Sequence, residues 1–458
     1  MNKKILMMIA IALYLFFFIL PMQWEQWDIK VQSLIALVII QLLWVGNVFP
    51  LAYSSLLVML MFSFHFFTYE EVLAYIASDV VWLLVSTFII SRAFIDTGLA
   101  DRLSLMILKC SRGAGKVLVF ISFFLVFILS VLVPSNVGKA SLLSSVFDSL
   151  IRSLKSMDES SNLAKSLFIG ITYLIPITGA FVATGASSTI YAYSLLSDSG
   201  HHIDYLQWTL TFGVPIAIFA VLLGLAYIIM FPPEKINKEH LLCLLEAKIS
   251  ELGKISAREK KMLAIMGVTL ALWITQSMHG YSIPLIGLLG ACLTIFPGIG
   301  VWEWERARKS INWDIVLFFA STLMVSGMLL STGTIDLLVK YLTQLLALKT
   351  PFMTALILIL LTSLMRIMFV NVLGFLAIML PLVISLGDVL TGFPAMNLVK
   401  AVLLAGIPGF FFITQSPVHL ISYSYGHFSE RDLLKAGAVS FLIWIGVILG
   451  AFAFYWQG

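Results

Sequence analysis

The chain reads as an all-α polytopic membrane protein of about 11 transmembrane helices with two re-entrant hairpins, assembled from an inverted repeat. Three observations carry that reading. With 60% hydrophobic residues, only 11% charged and a mean hydropathy of +1.02, 458 residues hold too little polar surface to clothe a soluble globule. The apolar runs approach the roughly 20 residues that cross a hydrocarbon core, so helices rather than a closed barrel satisfy the backbone. Two of those runs are also interrupted at equivalent places, at Asn136 and Asn371.

Taken in order, residues 1–79 supply N-terminal scaffold helices, with spans at 5–22, 31–44 and 50–67. The first span follows Lys3 and Lys4 as a signal peptide would. It lacks a small-residue cleavage pattern and leads straight into further spans, so it reads as a retained helix. Residues 80–231 form the first repeat: a span at 80–95, a basic amphipathic arm through Lys109, a hairpin with its tip near 135–139, and spans at 166–183 and 206–231. The segment 232–261 is a linker too charged to enter the bilayer, and 262–312 adds scaffold spans at 262–275 and 283–296. Residues 313–458 form the second repeat: a span at 313–330, an arm through 348, a hairpin over 351–386 with its tip near 370–374, and spans at 398–414 and 433–455.

The repeat shows directly when VVWLLVSTFIISRAFIDTGLADRL from Val80 is set beside IVLFFASTLMVSGMLLSTGTIDLL from Ile315. Ser86-Thr87 meets Ser321-Thr322, Ser91 meets Ser326, Thr97-Gly98 meets Thr332-Gly333, and Asp101 meets Asp336. The offset 332 − 97 = 235 is also the offset of the two breaks, 371 − 136 = 235. Lys116 stands before the first hairpin and Arg152 and Lys155 after it, so both its ends face the side where Lys and Arg accumulate. That side, carrying Lys3 and Lys4, is cytoplasmic, which places the N-terminus inside and the protein in the inner membrane. The second hairpin then enters from outside, and the copies are inverted.

Scattered basic residues at a net charge of +4 mark topology and exclude a nucleic-acid partner. Cys110, Cys243 and Cys292 sit in unrelated segments without metal-ligand spacing and are expected to pack inertly. Trp24, Trp27, Trp302, Trp304 and Trp456 fall at helix ends as interfacial belts. Arg92 and Asp96, four apart, are expected to pair on one helix.

A break inside an apolar span frees backbone groups for a ligand, and two breaks in matched halves point to the binding site of an alternating-access transporter. The candidate substrate-binding residues are Ser135, Asn136, Val137, Gly138 and Lys139 at the first tip, and Asn371, Val372 and Gly374 at the second. Each hairpin precedes another interrupted helix, which adds Thr184, Gly185, Ser187, Ser188 and Thr189 in the first copy. The second copy contributes Thr414, Gln415, Ser416 and Pro417. The alternative for any one hydroxyl is back-bonding to helix carbonyls. His419, beside Pro417, is either a proton carrier or a structural donor.

These segments resemble the divalent anion:sodium symporters, which carry dicarboxylates, citrate or sulfate. The likeness runs over nearly the whole chain from Val80. It rests on Ser135-Asn136-Val137 and Val370-Asn371-Val372, where the family has Ser-Asn-Thr, on the Thr-Gly arm entries, and on 184–189 and 414–417. The resemblance implies an elevator-type carrier, usually a homodimer, with a small anionic substrate between the tips. It also implies sodium beside each Asn, making Ser135, Asn136 and Asn371 the metal ligands, and no other cofactor. Against the family pattern, Val137, Val370 and Val372 lack the usual hydroxyls, and Arg366 falls five residues before Asn371.

A fixed cation at membrane depth costs about 2.5 to 3.5 kcal/mol on insertion scales and marks function. Lys139 and Arg366 are therefore expected to stand in for sodium ions, giving a sodium-independent exchanger or a proton-coupled carrier. One alternative is sodium-coupled symport, with Lys139 snorkelling and Arg366 paired to a carboxylate. The other is a membrane enzyme acting on a lipid-linked substrate, but no paired carboxylates, His-Asp pair or metal cluster stands at membrane depth, so the chain is not expected to be an enzyme.

Overall fold

The computed structural model describes residues 3–19, 27–46, 48–154, 161–234, 237–346, 349–390 and 394–456. Among them every regular element is helical. Among the described residues six helices are long and apolar enough to cross a membrane: Tyr69–Asp96, Gly115–Leu132, Tyr205–Met230, Trp313–Ser331, Val372–Val389 and Glu430–Tyr455. Six shorter apolar helices accompany them. The shorter ones include Ile283–Ile295, whose 13 residues reach about 20 Å, less than a hydrocarbon core of about 30 Å. The end of the first expected span at 20–22, Trp24, Lys155 and the end of the second arm at 347–348 lie outside the described residues.

The chain divides into two compact units, Met1–Trp82 with Asn312–Gly406, and Leu83–Ile311 with Ile407–Gly458. In the first, Leu51–His65 packs along Trp313–Ser331, and Ser321 Oγ donates to the Ser55 carbonyl at 3.2 Å. Small residues bring these helices close, as expected between apolar surfaces that gain little by leaving lipid. Ser326 Oγ donates to the Ala377 carbonyl at 2.9 Å, and the Tyr75 hydroxyl occupies the space a Cβ on Gly327 would take. Gly333, at φ +67°, turns the chain into the amphipathic arm Thr334–Leu346, which lies on Val372–Val389.

The second hairpin follows as Pro351–Arg366 and Val372–Val389. Ala395–Gly406 packs against both arms. That last helix stops well short of the expected 414, because Pro408 has no N–H to continue it.

In the second unit, the turn Thr97-Gly98 launches the first arm, Leu99–Lys109, with Gly98 at φ +82°. The same left-handed glycine thus recurs at 333 − 98 = 235 residues. The first hairpin is Gly115–Leu132 and Asn136–Ser153. Its first arm seats the Phe120 ring against Gly224, where a Cβ would come within 2.5 Å, and the Phe123 ring against Gly170.

The charged linker folds as Lys238–Glu251 and lies on the arm. Arg102 clamps it, with Nε 2.5 Å from Glu259 Oε1, Nη1 donating to the Gly253 carbonyl at 2.9 Å and Nη2 to the Leu252 carbonyl at 3.0 Å. Lys109 meets Glu246 at 2.9 Å. Arg92 pairs with Asp96 at 2.8 Å as expected, and Arg306 joins the same carboxylate at 3.1 Å.

Two expectations need correction here. Cys110, Cys243 and Cys292 are free and exposed instead of packed. Of the described belt tryptophans, Trp27 and Trp304 are exposed, but Trp302 and Trp456 turn inward. Trp302 donates to Thr294 Oγ1 at 3.1 Å and Trp456 to the Thr211 carbonyl at 3.0 Å, because a buried indole N–H needs an acceptor.

Candidate functional site

The first tip breaks where Pro134 withholds its N–H and forces Val133 into an extended conformation, φ −125° and ψ 93°. Ser135 then caps the second arm, its Oγ accepting from Gly138 N at 3.1 Å. With the cap supplied by serine, Asn136 is spare. Its Oδ1 is buried and has no hydrogen-bond partner, and a Cβ on Gly179 would lie 3.0 Å from it. Val137 points outward, 42% exposed.

Lys139 is completely buried. Its Nζ donates to Ser130 Oγ at 3.0 Å and to the Gly185 carbonyl at 3.3 Å. Ser130 in turn donates to Thr178 Oγ1 at 2.9 Å, and Thr178 to the Leu174 carbonyl at 2.9 Å. Among the described residues no carboxylate pairs with this ammonium.

Gly185 belongs to the next interruption, between Asn162–Thr178 and Ser187–Asp198. That loop folds tightly on itself, for a Cβ on Gly185 would overlap the Gly179 carbonyl. Thr189 Oγ1 donates to the Gly179 carbonyl at 2.9 Å, and Thr184 Oγ1 lies 3.4 Å from the Tyr205 hydroxyl. Ser188 is buried and Ser187 half-buried at the start of the resumed helix.

The other interruption in this unit contains the single 3-10 turn Ile413–Gln415, and the chain resumes as the helix Pro417–Ser424. Gln415 Oε1 accepts from the backbone N–H of Phe411 at 2.8 Å and of Phe412 at 3.0 Å. Ser416 Oγ caps the resumed helix by accepting from Val418 N at 3.3 Å, while Thr414 and Pro417 are exposed. His419 sits edge-on to Tyr173 and holds the Phe412 carbonyl at 3.0 Å through Nδ1, which must carry the proton because a carbonyl only accepts. The Tyr173 hydroxyl lies 3.0 Å from the Phe410 carbonyl and 2.7 Å from that of Leu433, and Gly437 leaves the room for that approach.

The second tip, in the first unit, is built differently. Val370 offers no cap, so the duty passes to Asn371, whose Oδ1 accepts from Leu373 N at 2.9 Å. The asparagines at 136 and 371 match in sequence but not in use. Arg366 is 1% exposed and its Nη1 donates to the Phe369 carbonyl, folding the guanidinium back onto its own tip. Val372 is half-buried, and Gly374 is buried against Phe318 and Trp44.

Sequence reasoning missed Ser130, Thr178 and Gly179, which surround Lys139 and Asn136. A serine and a threonine in apolar helices carry no signal of their own. Among the described residues no group of three or more His, Cys, Asp or Glu is placed to hold a metal, so a cation here would find hydroxyl, amide and carbonyl oxygens, the donor set a hard ion takes.

Apolar helices interrupted at matched places in two halves of the chain, with polar side chains and loop carbonyls gathered at the interruptions, define a polytopic membrane protein of the transporter class. The family described as "Sodium:sulfate symporter transmembrane region" matches residues 1–458. The chain belongs to that family, within the divalent anion:sodium symporters, and is a transporter rather than an enzyme. It is similar to the inner membrane protein YbhI of Escherichia coli (strain K12), 25% identical over 348 residues, 75% of this chain and 72% of that protein. The citrate/succinate antiporter of the same organism is 22% identical over 387 residues, 82% and 78% of the two chains. Its L-tartrate/succinate antiporter is 24% identical over 394 residues, 81% and 77%.

Proposed function

We propose that this protein carries a small dicarboxylate-like anion across the cytoplasmic membrane by alternating access, exchanging it for a second anion without sodium. The binding groups are the tip residues Ser135, Asn136, Gly138 and Lys139, the tip residues Arg366, Asn371 and Gly374, and the loops at 184–189 and 414–417. Lys139 and Arg366 supply the positive charge that sodium ions supply elsewhere.

One observation carries the reading: the Lys139 ammonium is buried among the oxygens of the first interruption, donating to Ser130 Oγ and the Gly185 carbonyl. A monovalent cation therefore already occupies oxygens that a sodium ion would seek. Two similar relatives are named as antiporters of citrate or tartrate with succinate, which agrees with exchange of organic dianions.

A second reading, sodium-coupled symport, is favoured by the partnerless Oδ1 of Asn136, an oxygen still free for a cation. Counterflow in proteoliposomes separates the two. Liposomes preloaded with succinate, in choline or potassium buffer, are expected to accelerate uptake of labelled succinate, citrate or tartrate. A strict sodium requirement overturns the exchange reading, and absence of counterflow for every anion tried overturns the carrier assignment for this substrate class. The inverted orientation of the repeats, an elevator-like movement, a cytoplasmic N-terminus and a homodimer complete the proposal.

A further inference from the structure

Within the second unit, helix Pro417–Ser424 is buried at Val418, His419 and Ser422, which share one face, and the elements it packs on are the hairpin arm Asn136–Ser153 and helix Asn162–Thr178. Just past that helix, His427 Nε2 donates to Asp148 Oδ1 on the hairpin arm at 2.8 Å. Arg152 Nε donates to both oxygens of the same carboxylate at 2.9 Å. The His427 ring is shut off from solvent and lies 4.4 Å from the Phe168 ring, whereas Asp148 and Arg152 reach water. The seam between arm and helix therefore has an ionisable pair at a wet end.

Two hydroxyls stand along this seam. Ser144 lies one turn before Asp148 on the same face of the arm, and Ser422 lies three residues beyond His419 on the buried face of its helix. Both oxygens are buried and have no hydrogen-bond partner. Ser104 and Ser440, equally buried in this unit, each donate to a carbonyl four residues back at 2.7 Å, as a hydroxyl in an apolar helix does by default. Ser144 and Ser422 forgo that bond, so their partner is a small group that both donates and accepts, and water is the one that fits between packed helices. A hydroxyl hydrogen-bonded on both sides passes a proton by accepting one and releasing another.

At the inner end His419 holds the Phe412 carbonyl through Nδ1–H, which leaves Nε2 as its basic nitrogen. The other titratable groups at the two ends are Arg152 beside the Asp148–His427 pair and Tyr173 against His419, while Lys139 on the same arm is directed to Ser130 and Gly185. We propose that this seam is a proton path: the Asp148–His427 pair takes a proton from water, Ser144 and Ser422 relay it with bound water between them, and His419 Nε2 receives it. One hydronium becomes water at the wet end and one imidazolium forms at His419. That new charge stands beside the loop at 412–416, so proton and anion favour each other's binding and transport is linked to protons. The proposal rests on the anion-carrier reading above.

The test uses the purified full-length protein in sodium-free liposomes that hold a pH-sensitive dye, with valinomycin and potassium fixing the membrane potential. Succinate, citrate or tartrate, whichever supports counterflow, is placed on both sides and an inward proton gradient is imposed. In the wild type, exchange of the anion should acidify the lumen. Ser422→Ala and Ser144→Ala should slow that acidification about 100-fold, the loss expected for a positioned proton-transfer group, with exchange of labelled anion unchanged. Ser422→Thr keeps the hydroxyl and should restore it. A wild type whose exchange moves no protons, or alanine variants that acidify as fast as the wild type, overturns the proposal and leaves the carrier reading intact. Should one alanine variant fail to fold, the other decides alone. If the wild type shows counterflow with none of the three anions, the carrier reading falls and the proton path with it.

Discussion

Replacing Lys139 by Met separates the role of its charge from the role of its packing. The ammonium makes two hydrogen bonds, to Ser130 Oγ at 3.0 Å and to the Gly185 carbonyl at 3.3 Å. Ser130 keeps its bond to Thr178 after the change, so only the Gly185 carbonyl loses a partner, a cost of about 1–3 kcal/mol. Against this stands relief from holding an ammonium out of water without a carboxylate, several kcal/mol even after relaxation. The fold should therefore be as stable as the wild type or more so. Transport should fail, because a dianion deprived of one charge-assisted contact of about 1.5–3 kcal/mol binds roughly 10- to 150-fold more weakly. Melting of the purified variant and succinate counterflow in sodium-free liposomes read the two effects separately. A Lys139→Met protein that exchanges succinate at the wild-type rate and affinity would refute the assignment of the charge to the site.

Three other outcomes follow from the geometry. Asn371→Ala removes the cap of Val372–Val389 and should cost about 1 kcal/mol of stability, whereas Asn136→Ala, whose Oδ1 caps nothing, should leave melting unchanged and impair transport. Gly437→Ala drives a methyl into the Phe410 carbonyl and the Tyr173 hydroxyl and should destabilise by about 1–3 kcal/mol, visible as a lower melting temperature.

Glu259 gives a pH effect. Burial alone pushes its carboxyl up, but hydrogen bonds from Arg102 and Ser256 and the charge of Arg102 outweigh this and hold it below the usual carboxylate range. A depressed value stabilises the fold above the unfolded pKa of about 4.3 and loses that contribution as pH falls through the lower folded value. Melting of the wild type should drop across that acid window, and Glu259→Gln should flatten the drop.

What the sequence could disclose depended on how local the cause was. Pro134 announces the first interruption, and Gly98 and Gly333 announce the arm turns, because each acts on its own backbone. The passing of the cap from Ser135 to Asn371 was equally local and readable from Val370, a residue that cannot accept a hydrogen bond. Gln415 looks like a ligand residue in sequence, yet its amide oxygen is spent on the N–H groups of Phe411 and Phe412. The surroundings of Lys139 were beyond reach, since Thr178 meets Ser130 across 48 residues of chain and neither stands out in an apolar helix.

The clamp of Arg102 and Lys109 on the linker turns the exposed thiols into a built-in gauge. Cys110 closes the arm helix and Cys243 lies midway along Lys238–Glu251, so a dye or spin label on each sits on parts bolted to one another. Their separation should hold steady through turnover, while Cys292, on the separate helix Ile283–Ile295, provides the third vertex from which any travel of that rigid pair can be triangulated.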